Sequence, residues 1–266
     1  MPQSGNRYRQ ATEFSDFVHQ LWESYPAKVI HNDRDGGNYG DADAIRKIDH
    51  HGEFYDVAGP LNTPAFGDGK LPLFQAGASP AGRDFAASVA HAIFAATPDK
   101  EVARELRSDL RERAAQKGRD PDDIRILPGL NMYLAPTREE ANRIFTQTHA
   151  RMDPARQIAK VCELIGLDLI NHPMDARVTK DMLPAADTQV RSQTHADLVR
   201  RLIEREEPTV KDLLTRPEVM GSSHWIVVDT PEDAVNEIVA WAEVDAGDGI
   251  IALPSGSIQS DRKSAV

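Results

Sequence analysis

The spacing of apolar and polar residues along the chain differs from segment to segment. Over residues 7–25 the apolar side chains recur at helical spacing, which predicts an amphipathic helix. Residues 31–70 are rich in Gly, Asp and Asn and predict a long loop with a short hairpin around residues 52–57. A loop of that length within a compact domain is usually functional or an insertion.

After residue 73, short apolar runs alternate with helical patterns. Strands are predicted at residues 73–76, 92–95, 124–135 and 225–228, and near residue 250. Helices are predicted at residues 80–91, 99–117 and 137–152, from residue 231 onward, and, with proline-containing turns between them, over residues 153–220. Strands that alternate with helices indicate a parallel α/β sheet. The periodicity fits an open doubly wound sheet and a barrel equally.

The composition is that of an ordinary globular protein. The chain has 266 residues, of which 40% are hydrophobic and 27% are charged, enough for one large domain or two small ones. A formal charge of -11 argues against a nucleic-acid partner, because phosphate backbones are bound by basic surfaces. The single cysteine, Cys162, excludes an internal disulfide and is expected to be buried. No metal site is predicted, since no histidines pair at a ligand spacing on a helix.

The chain shows no sequence signal for a membrane or for export. No apolar run approaches the roughly 18 residues of a membrane helix. The first ten residues also lack the apolar stretch of a secretory signal. We therefore expect a cytoplasmic protein without a membrane partner.

The segment "FQAGASPAGRDFAA" joins a predicted strand to a predicted helix. Ser79 has the position of an N-cap and Pro80 that of the first helical residue, while Gly77 lets the backbone turn tightly. The amides of residues 81–83 are expected to point out of the carboxyl end of the strand, where the helix dipole favours an anion such as phosphate. Arg83 could add a charged contact there. A plain turn without a ligand is the alternative.

Other candidate motifs favour structural interpretations. Thr230 has the position of a second N-cap, but acidic side chains in the helical turn that follows it disfavour an anion. His50 and His51 are adjacent and predict a structural loop. His224, just before a predicted strand, is expected either to line a barrel mouth or to cap the strand.

Several segments, in their order and spacing, resemble those of one family. They are "RY…E…LWESY", "IDHHGEFYDVAGPLN", "FQAGASPAGRDFAA", "GRDPDDIRILPGL" and "DTPEDAV". Over residues 7–253 the chain resembles the flavin-dependent monooxygenases related to nitrilotriacetate monooxygenase, a branch of the bacterial-luciferase-like superfamily. Members of that branch are TIM barrels with insertions. They take reduced FMN from a separate flavin reductase and use O2 to oxidise small organic substrates.

The resemblance implies a fold and a cofactor site. The expected fold class is α/β, the C-terminal half of a luciferase-like TIM barrel with helical insertions. A single domain is expected over residues 1–266, with insertions at about residues 26–70 and 153–222. The anion expected at the turn becomes the phosphate of FMN, and the resemblance carries a flavin-phosphate role to the tyrosine of "RY" as well. The predicted cofactor-binding residues are therefore Tyr8, Gly77, Ala78 and Ser79, and no catalytic residue is assigned.

The order of the motifs predicts half a barrel. In the family, the helix with "RY" follows the fourth barrel strand, whereas here it begins at residue 7. The family's "T-S-T" and "N-x-V-T-S" segments do not occur in the sequence. We expect four parallel βα units, with the strand at residues 225–228 outside their succession. Open strand edges favour association, so a homo-oligomer or a partner chain is expected.

Two functions are compatible with these observations. The first is a component of an FMN-dependent monooxygenase that acts on a small organic substrate with reduced FMN from a flavin reductase. The second is a non-catalytic half-barrel, either a remnant or a phosphate- or flavin-binding subunit that needs a partner chain. Tyr8, Ser79 and the long resemblance favour the first function, and the missing barrel strands favour the second.

Overall fold

The computed structural model of the chain describes residues 4–67, 71–185 and 188–253. The chain divides into two compact units, Met1–Leu73 and Phe74–Val266. Each unit has its own secondary structure and its own tertiary contacts.

The first unit contains a long helix and small antiparallel hairpins. Helix α1 covers Ser4–Glu23 and confirms the helix predicted over residues 7–25. The hairpins are β1–β2 and β3–β4, with strands at Ile30–Asp33, Asn38–Gly40, His50–His51 and Asp56–Val57. The second hairpin confirms the one predicted around residues 52–57, whereas the first lies in a stretch predicted as loop.

The β3–β4 hairpin is held against α1 by one carboxylate. Glu13 accepts hydrogen bonds from two successive hairpin amides, that of Tyr55 at 2.8 Å, and lies 3.1 Å from His50 Nε2. Burial opposes ionisation of Glu13, but the bonds from His50 and the amides outweigh it and lower its pKa. His51 contacts Asp56 across the hairpin at 2.9 Å. Both histidines therefore have the structural role that was predicted for them.

The second unit alternates strands with helices, as predicted. Its first part contains β5 (Phe74–Ala76), α2 (Pro80–Val89), β6 (Ala92–Ala95), α3 (Lys100–Gln116), β7 (Arg125–Leu134) and α4 (Arg138–His149). The helices that follow are α5 (Pro154–Ile165), α6 (Gln193–Glu206), α7 (Val210–Thr215) and α8 (Pro217–Met220). The chain then returns to the sheet through β8 (Trp225–Asp229), α9 (Pro231–Glu243) and β9 (Ile251–Leu253).

Strands β5 to β9 form one parallel sheet in which β7 is central. β5 pairs with β6, β6 pairs with β7, and β7 pairs with both β8 and β9. Leu130 of β7 is in register with Trp225 of β8 and with Ala252 of β9. Because one residue cannot have both partners on the same side, β8 and β9 lie at opposite edges of β7.

Strand β8 lies at the same edge of β7 as β6. Arg125 and Ala135 are an even number of residues apart, so their backbone amides point to the same edge of β7. Their amides donate to the carbonyl of His91, next to β6, and to that of Asp229 in β8. The strand predicted at residues 225–228 is therefore outside the succession β5, β6, β7, β9, as expected. Within the described residues β5 and β9 do not pair with each other, so the sheet is open between them.

The two faces of this sheet have different surroundings. One face packs against α2, α3 and α9 through buried side chains: Ile93, Ile126, Leu130, Met132 and Leu134. The registers place on the other face, which we call the inner face, Phe74, Ala76, Phe94, Leu127, Gly129, Asn131, Tyr133, Ile226, Val228, Ile251 and Leu253. In a closed barrel the corresponding face is filled by side chains from all the strands. Here Phe74, at the open edge, is 63% exposed.

Helices α5 to α8 have a hydrophobic core of their own, which includes Val161, Leu202 and Leu213. They lie within the region predicted as an insertion at about residues 153–222. Ion pairs connect α6 to α3, among them Arg205 to Asp99 at 3.3 Å. Helices α5 to α8 thus form a small helical layer that is attached to α3, and their status as an insertion stays a prediction.

Cys162 lies on the exposed side of α5. The buried stripe of that helix consists of Ile158, Val161 and Ile165, at helical spacing. The expectation of a buried thiol was wrong, because the rotation of the helix rather than the residue type decides which side chains face the core.

No helix among the described residues is both long enough and apolar enough to cross a bilayer.

Candidate functional site

The turn between β5 and α2 has the cap that the sequence predicts. Ser79 Oγ accepts a hydrogen bond from the amide of Gly82 at 3.2 Å, and Pro80 is the first helical residue. Gly77 has a φ of +102°, in the left-handed half of the backbone map where a side chain is disfavoured. The turn itself is therefore confirmed as a capped strand-to-helix connection.

Two amides of this turn bond within the turn, whereas the prediction has them point outward. Of the amides expected to point outward, that of Gly82 bonds to the Ser79 side chain and that of Arg83 bonds to the Ser79 carbonyl at 2.8 Å. The expectation that the amides of residues 81–83 all point out towards an anion was wrong for those of Gly82 and Arg83, because the first helical turn closes on the cap residue itself.

Arg83 also differs from its expected role. Its Nε donates to the carbonyl of Ala78 at 2.7 Å, and its Nη1 forms an ion pair with Asp109 of α3 at 3.2 Å. The guanidinium thus holds the turn against α3. The Ala78 side chain is 4% exposed and packs in the core, so only the backbone of Ala78 can face a ligand.

The backbone of the turn is accessible at Gly77 among the described residues, and the start of α2 differs in charge from that of α9. A Cβ built on Gly77 would meet no atom within 4 Å. The first turn of α2 has no acidic residue, whereas that of α9 carries Glu232 and Asp233. The first turn of α2 therefore adds no negative charge to the positive end of the helix dipole.

Tyr8 lies on α1 in the first unit and is partly buried. Its carbonyl accepts a hydrogen bond from Thr12 Oγ1 at 2.9 Å. The Ser79 turn belongs to the second unit. That Tyr8 and Ser79 contact one phosphate stays a prediction.

A cavity of about 290 Å³ opens on the inner face, at the carboxyl end of β7. It is lined by residues from β7, α4, β8, β9 and the segment before β8: Asn131, Tyr133, His149, Met220, Gly221, Ser222, His224, Ile226 and Leu253. The active sites of TIM-barrel enzymes lie at the carboxyl ends of their strands. We refer to this space as the β7 cavity.

His224 is held in the wall of the β7 cavity by an aromatic ring and by a glycine. Its imidazole stacks on Phe94, with ring centroids 4.8 Å apart and planes at 14°. A Cβ on Gly129 would lie 2.5 Å from His224 Nδ1, so a glycine is required where the ring crosses β7. Burial lowers the pKa of His224, against the opposing effect of a hydrogen bond to the Ala95 backbone. His224 lines the cavity, one of the two positions expected for it.

Tyr133 and His149 form the opposite part of the wall. His149 Nδ1 lies 2.8 Å from the Phe145 carbonyl, and its Nε2 lies 3.5 Å from the Tyr133 hydroxyl. Only a protonated nitrogen can bond to a carbonyl, so Nδ1 is the donor to Phe145, and Nε2 is the nitrogen that faces the Tyr133 hydroxyl. The Tyr133 ring packs edge-on against Phe145 at 5.0 Å.

The sequence analysis did not identify most of this cavity. Asn131 and Tyr133 occur in a segment read only as a strand, and His149 in one read only as a helix. A usable signal was present, because an amide and a phenol occupy alternate positions of an otherwise apolar strand and must share one face. Metal ligation does not explain the histidines: in the part of the chain that the structure describes, no group of three or more metal-ligating side chains comes together.

A second cavity, of about 430 Å³, lies beside β8 and α9. Its charged groups pair with each other: Arg138 bonds to Asp229 at 3.0 Å and approaches Asp233 at 3.5 Å. These ion pairs connect α4 to the start of α9. The charged side chains of this cavity therefore have a structural role.

Comparison with known proteins decides the family. Residues 3–247 match the sequence profile of the luciferase-like monooxygenases. The chain belongs to the luciferase-like monooxygenase family. It is 32% identical over 250 residues to N-acetyl-S-(2-succino)cysteine monooxygenase of Bacillus subtilis, a match that covers 93% of this chain and 56% of that protein. It is 31% identical to nitrilotriacetate monooxygenase component A of Aminobacter aminovorans, with 94% and 54% covered.

Solved structures place this family member in the expected fold class. The crystal structure of a riboflavin lyase with modified FMN and riboflavin superposes with a TM-score of 0.76 at 27% identity, over 97% of this chain and 55% of that one. The α/β fold is thus that of part of a luciferase-like TIM barrel. The chain spans about half the length of the curated relatives that it matches.

Proposed function

We propose that this chain provides strands β5 to β9 of an FMN-dependent monooxygenase, which oxidises a small organic substrate with O2 and with reduced FMN from a separate flavin reductase. The observation that carries the proposal is the Ser79-capped amino terminus of α2. Family membership supports the reaction class. One relative is named as component A of a monooxygenase, which supports a separate reductase. The relatives are named for different substrates, so only the shared reaction is carried over.

The α2 terminus suits the phosphate of FMN. A hydroxyl can accept the cap bond from Gly82 and donate its own proton to an anion at the same time. The dipole of a helix of ten residues adds partial positive charge there. Gly77 keeps the approach free of a side chain. Ser79, Gly77 and the backbone of Ala78 would therefore hold the phosphate, and Tyr8 would add its hydroxyl.

The β7 cavity is the proposed substrate site. Bound reduced FMN would supply the electrons with which O2 is activated. The residues of the chain would bind and orient the substrate: the apolar walls exclude water, and Asn131, Tyr133 and His224 offer hydrogen bonds at the end of the strand. None of these side chains is assigned a proton-transfer role.

A second candidate function is favoured by the open sheet. Within the described residues β5 and β9 do not pair, and Phe74 is largely exposed on the inner face. A non-catalytic half-barrel, a remnant or a phosphate- or flavin-binding subunit, would fit this arrangement and would need a partner chain or a second copy to cover that face. In that case the phosphate site persists without turnover. A cytoplasmic location is proposed for either function.

The cofactor site is tested by titration of FMN and riboflavin, which differ in the phosphate. FMN should bind at least tenfold more tightly, because only FMN carries the dianion. Ser79→Asp keeps a side chain that caps a helix well but places a negative charge at the phosphate site, and FMN affinity should fall by roughly ten- to a hundredfold.

Thr137→Asp is the matched control. Thr137 caps α4 in the same way, through the Glu140 amide, and no phosphate is proposed there. It should leave FMN affinity unchanged. Equal affinities for FMN and riboflavin, or a Ser79→Asp protein that binds FMN like the parent, would contradict the phosphate site. The two functions are separated by substrate-dependent O2 uptake with reduced FMN, which the half-barrel function does not predict.

A further inference from the structure

We propose that the β7 cavity selects an uncharged organic substrate and discriminates against carboxylates. This inference rests on the proposed function, and it concerns the substrate class rather than the cofactor. The observation behind it is the composition of the wall: among the described residues, nine line the cavity and none of them is Lys, Arg, Asp or Glu. Met220, Ile226 and Leu253 provide its apolar surface, and uncharged polar groups provide the rest.

One histidine of the wall, His224, is neutral at physiological pH. Burial lowers the pKa of His224 below its ordinary value of 6.5. The ring stacks on Phe94, and His195 is the other titratable side chain that acts on it, also lowering the pKa. No carboxylate is among the groups that affect this pKa. His224 thus contributes a hydrogen-bonding ring but no counter-charge.

The other histidines near the cavity are engaged with neutral groups. His149 uses Nδ1 on the Phe145 carbonyl and Nε2 near the Tyr133 hydroxyl. His195 lies 2.8 Å from Ser192 Oγ through Nδ1 and 3.2 Å from the Ser222 carbonyl through Nε2. The described partners of each ring are one hydroxyl and one backbone carbonyl, and both are neutral.

Two arginines close in sequence to the cavity segments are already paired. Arg138 bonds to Asp229 and Asp233, and Arg216 bonds to Glu206 at 2.9 Å. Recruiting either one to a substrate would break an ion pair. A carboxylate that enters the cavity would therefore lose hydration without gaining a counter-charge from the described residues of the wall, which is costly. The net charge of -11 adds a general repulsion of anions.

An uncharged molecule fits the same wall. The apolar side chains can cover a small hydrocarbon body, and Asn131 and Tyr133, two residues apart on β7, can hydrogen-bond a single oxygen or sulfur-bound oxygen at its end. The volume of about 290 Å³ is at the lower end for ligand sites. The substrate class is thus a small neutral compound with one polar group.

The test uses two probes that differ in one carboxylate: methyl phenyl sulfoxide and phenylsulfinylacetate. Each is titrated at pH 7.5 into the full chain without FMN, and binding is followed through the imidazole NMR signals of His149 and His224. Methyl phenyl sulfoxide should shift these signals in a saturable way and bind at least tenfold more tightly than phenylsulfinylacetate. Equal affinities, a preference for the carboxylate, or binding of neither probe would overturn the proposal.

A charge placed in the wall provides the converse test. Ile226→Lys puts an ammonium group into the cavity and should bring the affinity for phenylsulfinylacetate to or above that for the sulfoxide. Val235→Lys is the control, since Val235 is 58% exposed on α9 and is not part of the wall. Circular dichroism establishes that both variants fold. If Ile226→Lys does not fold, the comparison of the two probes on the parent chain still decides the proposal.

The outcomes separate this inference from the proposed function. Probe binding takes place at the β7 cavity without FMN, and FMN binding takes place at the α2 terminus. If the chain does not bind FMN but still prefers the sulfoxide, only the cofactor proposal is wrong. Normal FMN binding with a preference for the carboxylate would remove the substrate class alone.

Discussion

Asp248 donates one hydrogen bond to Ile126 and accepts another from it. The Asp248 amide donates to the Ile126 carbonyl at 2.9 Å, and Asp248 Oδ2 accepts from the Ile126 amide at 2.9 Å. The other carboxylate oxygen accepts from Arg107 at 3.0 Å and from Arg111 at 3.3 Å. One side chain thus fixes the approach to β9 beside β7 and connects both to α3.

We expect Asp248→Asn to be strongly destabilising. The Asp248 side chain is 7% exposed, and the substitution leaves Arg107 and Arg111 without their buried counter-charge, at a cost of roughly 3 kcal/mol. Chemical denaturation measures the change. Asp245→Asn is the control, because Asp245 also pairs with Arg107 but is 78% exposed, so its loss should cost less than about 1 kcal/mol. Equal costs for the two variants would contradict this account.

The same carboxylate makes stability depend on pH in the acid range. Burial opposes its ionisation, but the bonds from Arg107 and the Ile126 amide and the nearby arginine charges outweigh it and lower the pKa of Asp248. The stabilisation is complete above the ordinary pKa of 3.8 and is lost as the pH falls through the lower pKa of the folded state. Denaturation of the parent and of Asp248→Asn at several pH values should show that the difference between them shrinks in acid.

Gly129→Ala and Gly77→Ala should destabilise the protein for different reasons. A Cβ on Gly129 would lie 2.5 Å from His224 Nδ1 and 2.7 Å from Phe94, so we expect an overpacking cost of roughly 1–3 kcal/mol. A Cβ on Gly77 meets no atom within 4 Å, but the positive φ strains any side chain, at about 1–2 kcal/mol. In a His224→Ala background the first cost should decrease and the second should not. If the costs of Gly129→Ala and Gly77→Ala both decreased in that background, the two substitutions would not destabilise for different reasons and the prediction would be wrong.

His224 should be neutral in the folded protein at pH 7. Burial lowers its pKa below the ordinary value of 6.5, so the unfolded chain takes up a proton at a higher pH than the folded one. The free energy of unfolding should therefore fall as the pH drops below about 6.5 and level off below the pKa of the folded state. An NMR titration of the imidazole measures that pKa directly. His224→Gln should lack this part of the pH dependence, and a pKa at or above 6.5 in the parent would contradict the prediction.

Ser79→Ala should lose the helix cap. The Gly82 amide would be left without its bond to Oγ, and we expect a loss of about 1 kcal/mol in the free energy of unfolding. Ser79→Asp should retain most of the stability, since aspartate also caps. Ser88→Ala in the same helix is the control, because Ser88 is exposed and its hydroxyl donates to the Asp84 carbonyl rather than capping the helix. Thermal denaturation of the three variants measures their losses of stability, and Ser79→Ala should lose the most. If Ser88→Ala loses as much stability as Ser79→Ala, the prediction is wrong.

Local sequence patterns determined most of the secondary structure, with the β1–β2 hairpin as an exception. The caps at Ser79, Thr137 and Thr230 each accept a bond from an amide three residues later. Such a bond depends only on close neighbours in the chain, so it can be predicted from a short window. The same holds for the helical period of α1 and the apolar runs of the parallel strands. The motifs of the family also lie within such windows, which is why the sequence alone indicated the fold class.

The tertiary structure decided which distant residues meet. Asp248 bonds to Ile126 across 122 residues, and His224 stacks on Phe94 at the end of another strand. The position of β8 on the β6 edge of β7, and the joining of Asn131, Tyr133, His149 and His224 into one cavity, likewise depend on strand pairing and on packing of α4. Strand registers and helix docking minimise buried unpaired groups over the whole chain, so no local window contains them. The sequence specified the strands and the turn at Ser79, and only the packed sheet made a neutral cavity from residues that are apart in the chain.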